Sequence, residues 1–209
     1  MGIITAIEST KRKNNRKNIY IDDEFACTLS DFCVFKNKLV VGLAITTQQL
    51  EEIQVQSDVD VYFTKVVQMQ MKSMKTQKQI EDYLLSEGCV PKTIEILLNK
   101  LQEYKYVNDE IYAKKYLDKY KKSKGKQKIK YELRQKGIED EIIDRVLSGV
   151  ENQLDEVWDL STKYMRNKQV NYENLNKLIR YLGGKGFGMD DIGVAIQRLR
   201  EERGNEDWE

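Results

Sequence analysis

The residue types that perform catalysis are scarce in this sequence of 209 residues. The chain contains no histidine, which is the most common general base near neutral pH. Its three cysteines, Cys27, Cys33 and Cys89, follow no paired metal-ligand spacing, and no glycine-rich phosphate loop or Gly-x-Ser-x-Gly elbow occurs. We therefore expect a protein that is not an enzyme and uses no metal or cofactor, with reduced cysteines in its core.

Pairs of adjacent carboxylates are the remaining candidates for acid–base chemistry, and two of them serve as examples. They are Glu139 with Asp140 and Asp190 with Asp191. Each pair falls at the start of a predicted helix, where a negative side chain interacts favourably with the helix dipole. We therefore interpret both pairs as residues that stabilise helix starts, and not as a catalytic dyad.

Charge is distributed unevenly along the chain. Residues 114–136 hold eleven lysines and arginines against two carboxylates, a balance of +9. Residues 139–159 hold eight acidic residues against one arginine, a balance of −7. The net charge of +1 conceals this dipole. A basic segment beside an acidic one suits an acidic protein groove, or a nucleic acid on one side only.

The basic segment contains a predicted amphipathic helix over residues 126–136. Its apolar residues, Ile129 and Leu133, face the core, so that a rotation of about 100° per residue turns the neighbouring basic residues outward. Tyr131 could stack on a base or cover an apolar spot on a protein partner. The alternative is that this face packs on a neighbouring repeat or contacts only solvent. The candidate partner- or DNA-binding residues are Lys128, Lys130, Tyr131, Arg134, Lys126, Lys121, Lys122 and Lys124.

The helix that carries this basic face belongs to a repeat. Gly88, Gly137 and Gly186 are separated by a constant 49 residues, and apolar residues stand eight and four positions before each of them. Each glycine is predicted to end a helix with positive φ and to precede a buried apolar residue, as in a Schellman motif. Apolar residues six, nine, ten and thirteen positions after each glycine predict a second amphipathic helix.

Each repeat is predicted to contain a third helix that precedes these two. In the first copy, Phe63, Val67 and Met71 form a stripe that we interpret as core. The same offsets fall on three tyrosines in the second copy, and the stripe weakens in the third. The helix that ends at each repeat glycine is predicted to begin at a capping residue twelve positions earlier. These capping residues are Thr76, Gly125 and Asn174.

The first 56 residues have a different pattern. The runs ITAIES, NIYID and EFACTLS predict three strands, and polar starts at Thr46 and Ser57 predict two separate helices. Residues 30–41 fit either a helical turn or a further strand. The first two strands are joined by a basic hairpin tip, which we interpret as a solubilising loop, with contact to an anionic partner as the alternative. Its basic residues are Lys11, Arg12, Lys13, Arg16 and Lys17.

Together these patterns predict a mainly α fold with three tandem three-helix repeats in an elongated, curved array, preceded by a small β-rich N-terminal unit. No apolar run approaches the roughly 20 residues of a membrane span, and no signal peptide pattern is present. We expect a cytoplasmic monomer without a membrane partner. The expected boundaries are 1–56 for the β-rich unit, 57–106, 107–155 and 156–203 for the repeats, and 204–209 for an acidic tail.

The central repeat resembles a known family. Residues 107–147, VNDEIYAKKYLDKYKKSKGKQKIKYELRQKGIEDEIIDRVL, are similar to the central repeat of the RecX regulators of the bacterial RecA recombinase, including a Glu-Leu-x-x-Lys-Gly-Ile pattern. RYLGGKGFGMDDI, residues 180–192, is similar to the third-repeat Gly-Phe signature of that family, and the β-rich unit resembles its Gram-positive members. The family often has Arg or Lys around that signature, whereas Gly183 and Gly184 stand before Lys185 here.

The resemblance implies repeats that lie along the recombinase filament and restrain its ATPase and strand exchange, with no catalytic residues. Our first hypothesis is therefore a regulatory protein that binds the RecA filament on DNA. The alternative is a stand-alone helical-repeat module that binds single-stranded or double-stranded DNA through the basic segment, with an affinity that falls steeply with salt. A helical scaffold for some other partner is disfavoured only by the resemblance.

Overall fold

A computed structural model describes residues 1–10 and 15–203 of the chain. That part of the chain forms ten helices and four short strands, which confirms the predicted mainly α fold with a small β-rich unit at the N-terminus. The elements gather into two compact units, Met1–Val107 and Asn108–Glu209. The hairpin residues Lys11, Arg12 and Lys13 and the predicted tail over residues 204–209 lie outside the described residues.

The first unit begins with a small antiparallel sheet and continues into helices. Its strands lie in the order Glu24–Ser30, Arg16–Ile21, Gly2–Ser9 and Ala44–Ile45, so that the three predicted strands are confirmed and a fourth of two residues is added. Within the segment that the pattern left undecided, Asp31–Lys36 forms a helix, because the Ser30 side chain accepts the Cys33 N–H and caps it. The elements are β1 (Gly2–Ser9), β2 (Arg16–Ile21), β3 (Glu24–Ser30), α1 (Asp31–Lys36), β4 (Ala44–Ile45), α2 (Thr47–Lys72), α3 (Gln77–Ser86) and α4 (Pro91–Glu103).

Helix α2 is a single helix of 26 residues, so the predicted break at Ser57 is wrong. Thr46 caps it with the expected reciprocal bonds to Gln49, but Ser57 lies fully buried in its middle. The Ser57 hydroxyl accepts the backbone N–H of Ser30 at 2.7 Å. Ser57, which the local sequence pattern predicts to be a helix cap, therefore joins the middle of α2 to the end of strand β3.

The buried side of α2 lies one position away from the predicted stripe. After Ser57, the buried residues of α2 are Val59, Tyr62 and Val66, whereas Phe63 and Val67 are only partly buried against the same cluster. Met71 is 81% exposed, so its interpretation as core is wrong. In the last turn of α2 it is Met69 that packs against the cluster formed with α3 and α4, and Met71, two positions further along the helix, therefore lies on the opposite side.

The second unit contains two of the predicted three-helix repeats. The third repeat has its first helix although its stripe is weak, with Val157, Ser161 and Met165 buried. Each repeat encloses its own cluster of buried apolar side chains. The helices of the second unit are α5 (Asp109–Tyr120), α6 (Lys126–Gln135), α7 (Asp140–Leu147), α8 (Leu154–Met165), α9 (Tyr172–Gly184) and α10 (Met189–Arg203).

The three repeat glycines end helices α3, α6 and α9 as predicted. Gly88, Gly137 and Gly186 have φ values of +82°, +77° and +84°. In each case the next residue donates its N–H to a leucine carbonyl five positions earlier, at 3.0 to 3.3 Å, and the glycine N–H donates to the residue three positions earlier. These are the two bonds of a Schellman motif. The apolar residue after each glycine is buried, which completes the motif.

The predicted helix starts are confirmed in two repeats and wrong in one. Thr76 makes a full capping box with Gln79, and Gly125 is the N-cap of α6. Helix α9 begins three residues earlier than predicted, because the Asn171 side chain accepts the N–H of Asn174 at 2.9 Å. All three cysteines are buried free thiols, as expected. Within the described residues, no helix has the length and hydropathy needed to cross a bilayer.

A candidate basic and aromatic interface in the second unit

The start of α6 lies directly against the end of α9. Gly125 donates its N–H to the carbonyl of Lys185 at 2.9 Å, and Gln127 donates to the carbonyl of Gly186 at 3.1 Å. A Cβ atom on Gly125 would lie 2.1 Å from the carbonyl carbon of Gly186, and one on Gly186 would lie 2.3 Å from the nitrogen of Lys128. The second and third repeats therefore meet backbone to backbone, which only glycine permits at these two positions.

A buried glutamine holds the loop that precedes this contact. Gln153 is 5% exposed, and its side-chain oxygen accepts the N–H of Lys126 at 2.7 Å. Its side-chain nitrogen donates to the carbonyls of Lys121 and Lys124, both at 3.3 Å. Its backbone N–H donates to the Asp191 carboxylate at 3.1 Å. Asp191 stands in the first turn of α10 as expected, and it also ties the third repeat to this loop.

Around this contact the structure gathers several cationic side chains with tyrosines beside them. The Lys128 ammonium lies 5.4 Å from the ring centroid of Tyr131, which is 55% exposed. The Lys185 ammonium lies 5.0 Å from the ring of Tyr181 and 3.4 Å from the carbonyl oxygen of Ser123. No carboxylate pairs with these lysines within the described residues. We name this group the junction surface: Lys126, Lys128, Tyr131 and Lys185.

Lys124 was expected on the binding face, but the structure gives it partners inside the second repeat. Its ammonium contacts both oxygens of Glu132 at 2.6 and 2.7 Å and lies 4.2 Å from the ring centroid of Tyr120. The Tyr116 hydroxyl donates to the same carboxylate at 2.7 Å. Burial opposes ionisation of Glu132, but the hydrogen bonds from Lys124 and Tyr116 outweigh it and lower its pKa. Burial and the Glu132 bond together raise the pKa of Tyr116.

Lys130 and Arg134 point away from the core but are not free of acidic partners. Lys130 forms an ion pair with Asp144, and the Arg134 guanidinium contacts both carboxylate oxygens of Asp140. Both acids belong to α7, which packs beside α6. The basic and acidic segments that suggested a charge dipole therefore partly neutralise each other within one repeat. Sequence periodicity did not show this, because it does not say which helix faces the basic one.

The structure describes two of the five basic residues predicted for the hairpin tip, Arg16 and Lys17. Arg16 is the first residue of strand β2, and its side chain is 16% exposed and paired with Asp58 at 2.5 Å. Lys17 donates to the Ser9 hydroxyl at 2.8 Å. Because Asp58 belongs to α2, Arg16 joins the sheet to that helix. It is therefore not a residue of the hairpin tip.

Comparison with known proteins supplies the family. The model of the RecX N-terminal domain matches residues 2–46, and the model of the second RecX three-helix domain matches residues 108–147. A protein of Clostridium tetani named regulatory protein RecX is 34% identical over 94% of this chain and 94% of its own length. The chain belongs to the RecX family of regulatory proteins. A RecX of Bacillus subtilis strain 168 is 30% identical and is matched over 100% of this chain and 81% of its own length.

Solved RecX structures have the same fold. A crystal structure described as regulatory protein RecX is similar with a TM-score of 0.67 and 25% identity, covering 95% of this chain and 100% of that one. The RecX of Lactobacillus salivarius is similar with a TM-score of 0.63 and 28% identity, covering 69% of this chain and 97% of that one. The predicted membership of a Gram-positive RecX family is thus confirmed.

Proposed function

We propose that this RecX-family chain binds the RecA recombinase filament on DNA and restrains its ATPase and DNA strand exchange. The observation that carries the proposal is the similarity to proteins named regulatory protein RecX, which extends over 94% of the chain. The protein acts without a catalytic step of its own, as a cytoplasmic monomer. Regulation then follows from binding, so that its effect on the ATPase depends on how much of the filament it occupies.

The junction surface supports this proposal as the site of contact. Its lysines form no ion pair with a carboxylate in the described part of the chain, and exposed cations contribute to association with an anionic partner more than to folding. Tyr131 exposes a large apolar ring with a polar edge, a combination that is enriched in protein interfaces. The glycine contact and Gln153 hold these side chains on a rigid base, which reduces the entropy lost on binding.

Addition of the purified chain to RecA on single-stranded DNA tests the proposal. A stoichiometric amount is expected to lower the ATPase rate, slow strand exchange and place the chain in the pellet when filaments are sedimented. Lys126→Glu with Lys128→Glu should weaken that co-sedimentation at least tenfold. The matched control is Lys163→Glu with Arg166→Glu, which makes the same charge change at exposed positions of the same unit. An unaltered ATPase at saturating protein would exclude this function.

The alternative function, a stand-alone DNA-binding module, is favoured by one observation. Lysines without carboxylate partners stand beside Tyr131 and Tyr181, and such pairs of cation and ring suit a phosphate backbone with unstacked bases. DNA binding without recombinase that weakens steeply with salt, combined with no effect on RecA, would select this alternative.

A further inference from the structure

One buried residue joins the helix ends that meet beside the junction surface. Gln153 is the N-cap of α8, and its backbone carbonyl accepts the Val157 N–H at 2.9 Å inside that helix. Its other polar atoms bond to residues outside α8. They reach the first residue of α6, the end of α5 and the first turn of α10. Gln153 therefore connects helices of the second repeat with helices of the third.

The third repeat supplies the hydrogen-bond acceptors that the start of α6 lacks. The first N–H groups of a helix have no partner within the helix. The N-cap of α6 is Gly125, which has no side chain that could accept them. The Gln153 side chain accepts the Lys126 N–H at 2.7 Å, and the Gly186 carbonyl accepts the Gln127 N–H at 3.1 Å. The helix that carries the basic residues is therefore capped by the neighbouring repeat.

The same arrangement holds two ammonium groups of the junction surface. The Lys126 ammonium donates to the Val150 carbonyl at 3.3 Å, and the Lys185 ammonium donates to the Ser123 carbonyl at 3.4 Å. Val150 lies three residues before Gln153. Ser123 lies in the loop between α5 and α6, where Gln153 holds carbonyl groups on both sides of it. Both lysines therefore rest on segments that Gln153 joins together.

We propose that Gln153 and Asp191 are positioning residues for the junction surface, which is an inference that rests on the function proposed above. Gln153 is 5% exposed, so that it acts through the loop and not by touching a partner. Asp191 holds the Gln153 backbone from α10 at 3.1 Å. Lysines that are already held in place lose less conformational entropy when a partner binds them. The negative charge of Asp191 by itself opposes an anionic partner, so that its contribution to binding comes from this hydrogen bond.

Two substitutions of Asp191 separate its hydrogen bond from its charge. Asp191→Asn keeps a side-chain oxygen that can accept the Gln153 N–H, whereas Asp191→Ala keeps none. Both remove the same negative charge. Co-sedimentation with recombinase filaments on single-stranded DNA measures the half-saturating concentration of the chain. Asp191→Asn should bind at least as well as the parent chain, and Asp191→Ala should raise that concentration about threefold or more. Equal binding by the two variants would show an effect of charge alone and would overturn the proposal.

A second experiment compares two glutamines that each brace a loop. Gln153→Ala should raise the half-saturating concentration about fivefold or more, because the partner must then order the lysines itself. The matched control is Gln70→Ala in the first unit. The Gln70 side chain accepts the Lys75 N–H at 2.7 Å and donates to the Lys75 carbonyl at 3.1 Å. Gln70→Ala should lose stability but bind filaments as the parent chain does.

Urea unfolding of each variant sets a temperature at which all of them are folded, and binding is compared there. A purely structural role of Gln153 would lower its unfolding free energy and leave the binding of the folded chain unchanged. That result, combined with weakened binding by Lys126→Glu with Lys128→Glu, would overturn the inference and leave the proposed function standing. An equal loss of binding in Gln70→Ala would also overturn it. A parent chain that fails to sediment with filaments would contradict the proposed function and this inference together. The Asp191 variants decide the matter if Gln153→Ala does not fold.

Discussion

Gly125 and Gly186 lie so close that a Cβ atom on the first would stand 2.1 Å from the carbonyl carbon of the second. Gly186 has the positive φ of a helix stop, but Gly125 has an ordinary φ of −74°. Position 125 therefore requires glycine because Gly186 leaves no room for a Cβ atom. The backbone conformation of Gly125 itself would allow any residue. This contact sets where α6 begins relative to the third repeat, and so where Lys126 and Lys128 stand.

Replacing Gly125 with alanine should destabilise the second unit. The methyl group has no room, and overpacking of this kind costs about 1 to 3 kcal/mol. Urea unfolding followed by circular dichroism measures the loss. Gly183→Ala is the control, because it lies in helix α9 with open space around it and should be neutral or stabilising by up to about 1 kcal/mol. Equal stability of the two variants would mean that the contact between the repeats is not made.

Two glycines with the same backbone conformation should differ in their tolerance of alanine. Gly88 and Gly186 have φ values of +82° and +84°, but a Cβ on Gly88 meets nothing within 4 Å. Gly88→Ala should therefore cost only the strain of a left-handed residue, about 1 kcal/mol. Gly186→Ala adds a collision with the backbone of Lys128 and should cost at least twice as much. Thermal unfolding of both variants under one condition would show the difference, and equal losses would contradict it.

Exchanging the charges of the Lys130–Asp144 ion pair distinguishes a role of Lys130 in folding from a role in binding. Lys130→Glu should lower the unfolding free energy by about 1 kcal/mol or less, since the pair is partly exposed to solvent. Adding Asp144→Lys restores an opposite-charge pair and should recover that stability. It should not recover co-sedimentation with the recombinase filament, if position 130 contacts the partner as the sequence predicts. Recovery of binding in the exchanged pair would assign Lys130 a structural role only.

The Glu132 network should make stability depend on pH in the acidic range. Burial of its carboxylate is outweighed by the bonds from Lys124 and Tyr116, so that the pKa in the folded chain lies below that of the unfolded chain. The contribution is therefore complete above the ordinary glutamate pKa of about 4.3 and is lost as the pH falls through the lower folded value. The difference in unfolding free energy between the parent chain and Glu132→Gln should therefore shrink as the pH falls through this range.

Urea unfolding at a series of pH values from about 7 to about 3 measures this difference. Glu51→Gln, at an exposed position of α2, serves as the control and should give a difference that stays small throughout. A difference for Glu132→Gln that does not change with pH would mean that the lysine and tyrosine bonds do not stabilise the charged form.

The sequence alone determined the features that are encoded within one or two helical turns. The glycine stops, the buried residues around them and the three-helix period were all predictable, because a Schellman motif and an amphipathic stripe depend on neighbours four to five positions away. The family resemblance rested on the same residues. Helix starts were less certain, since Asn171 and Asn174 are both suitable caps and only one could be used.

Tertiary structure decided the partners that are distant along the chain. From its sequence context Ser57 is a helix cap, but in the fold its hydroxyl accepts an N–H at the end of strand β3. Gly125 is an ordinary N-cap by sequence, but in the fold Gly186 lies against it. The sequence predicts a free basic face on α6, but in the fold α7 places two carboxylates beside Lys130 and Arg134. Periodicity specifies which side of a helix is buried, but the energy of a contact depends on what lies opposite, and only the packing of the whole unit supplies that.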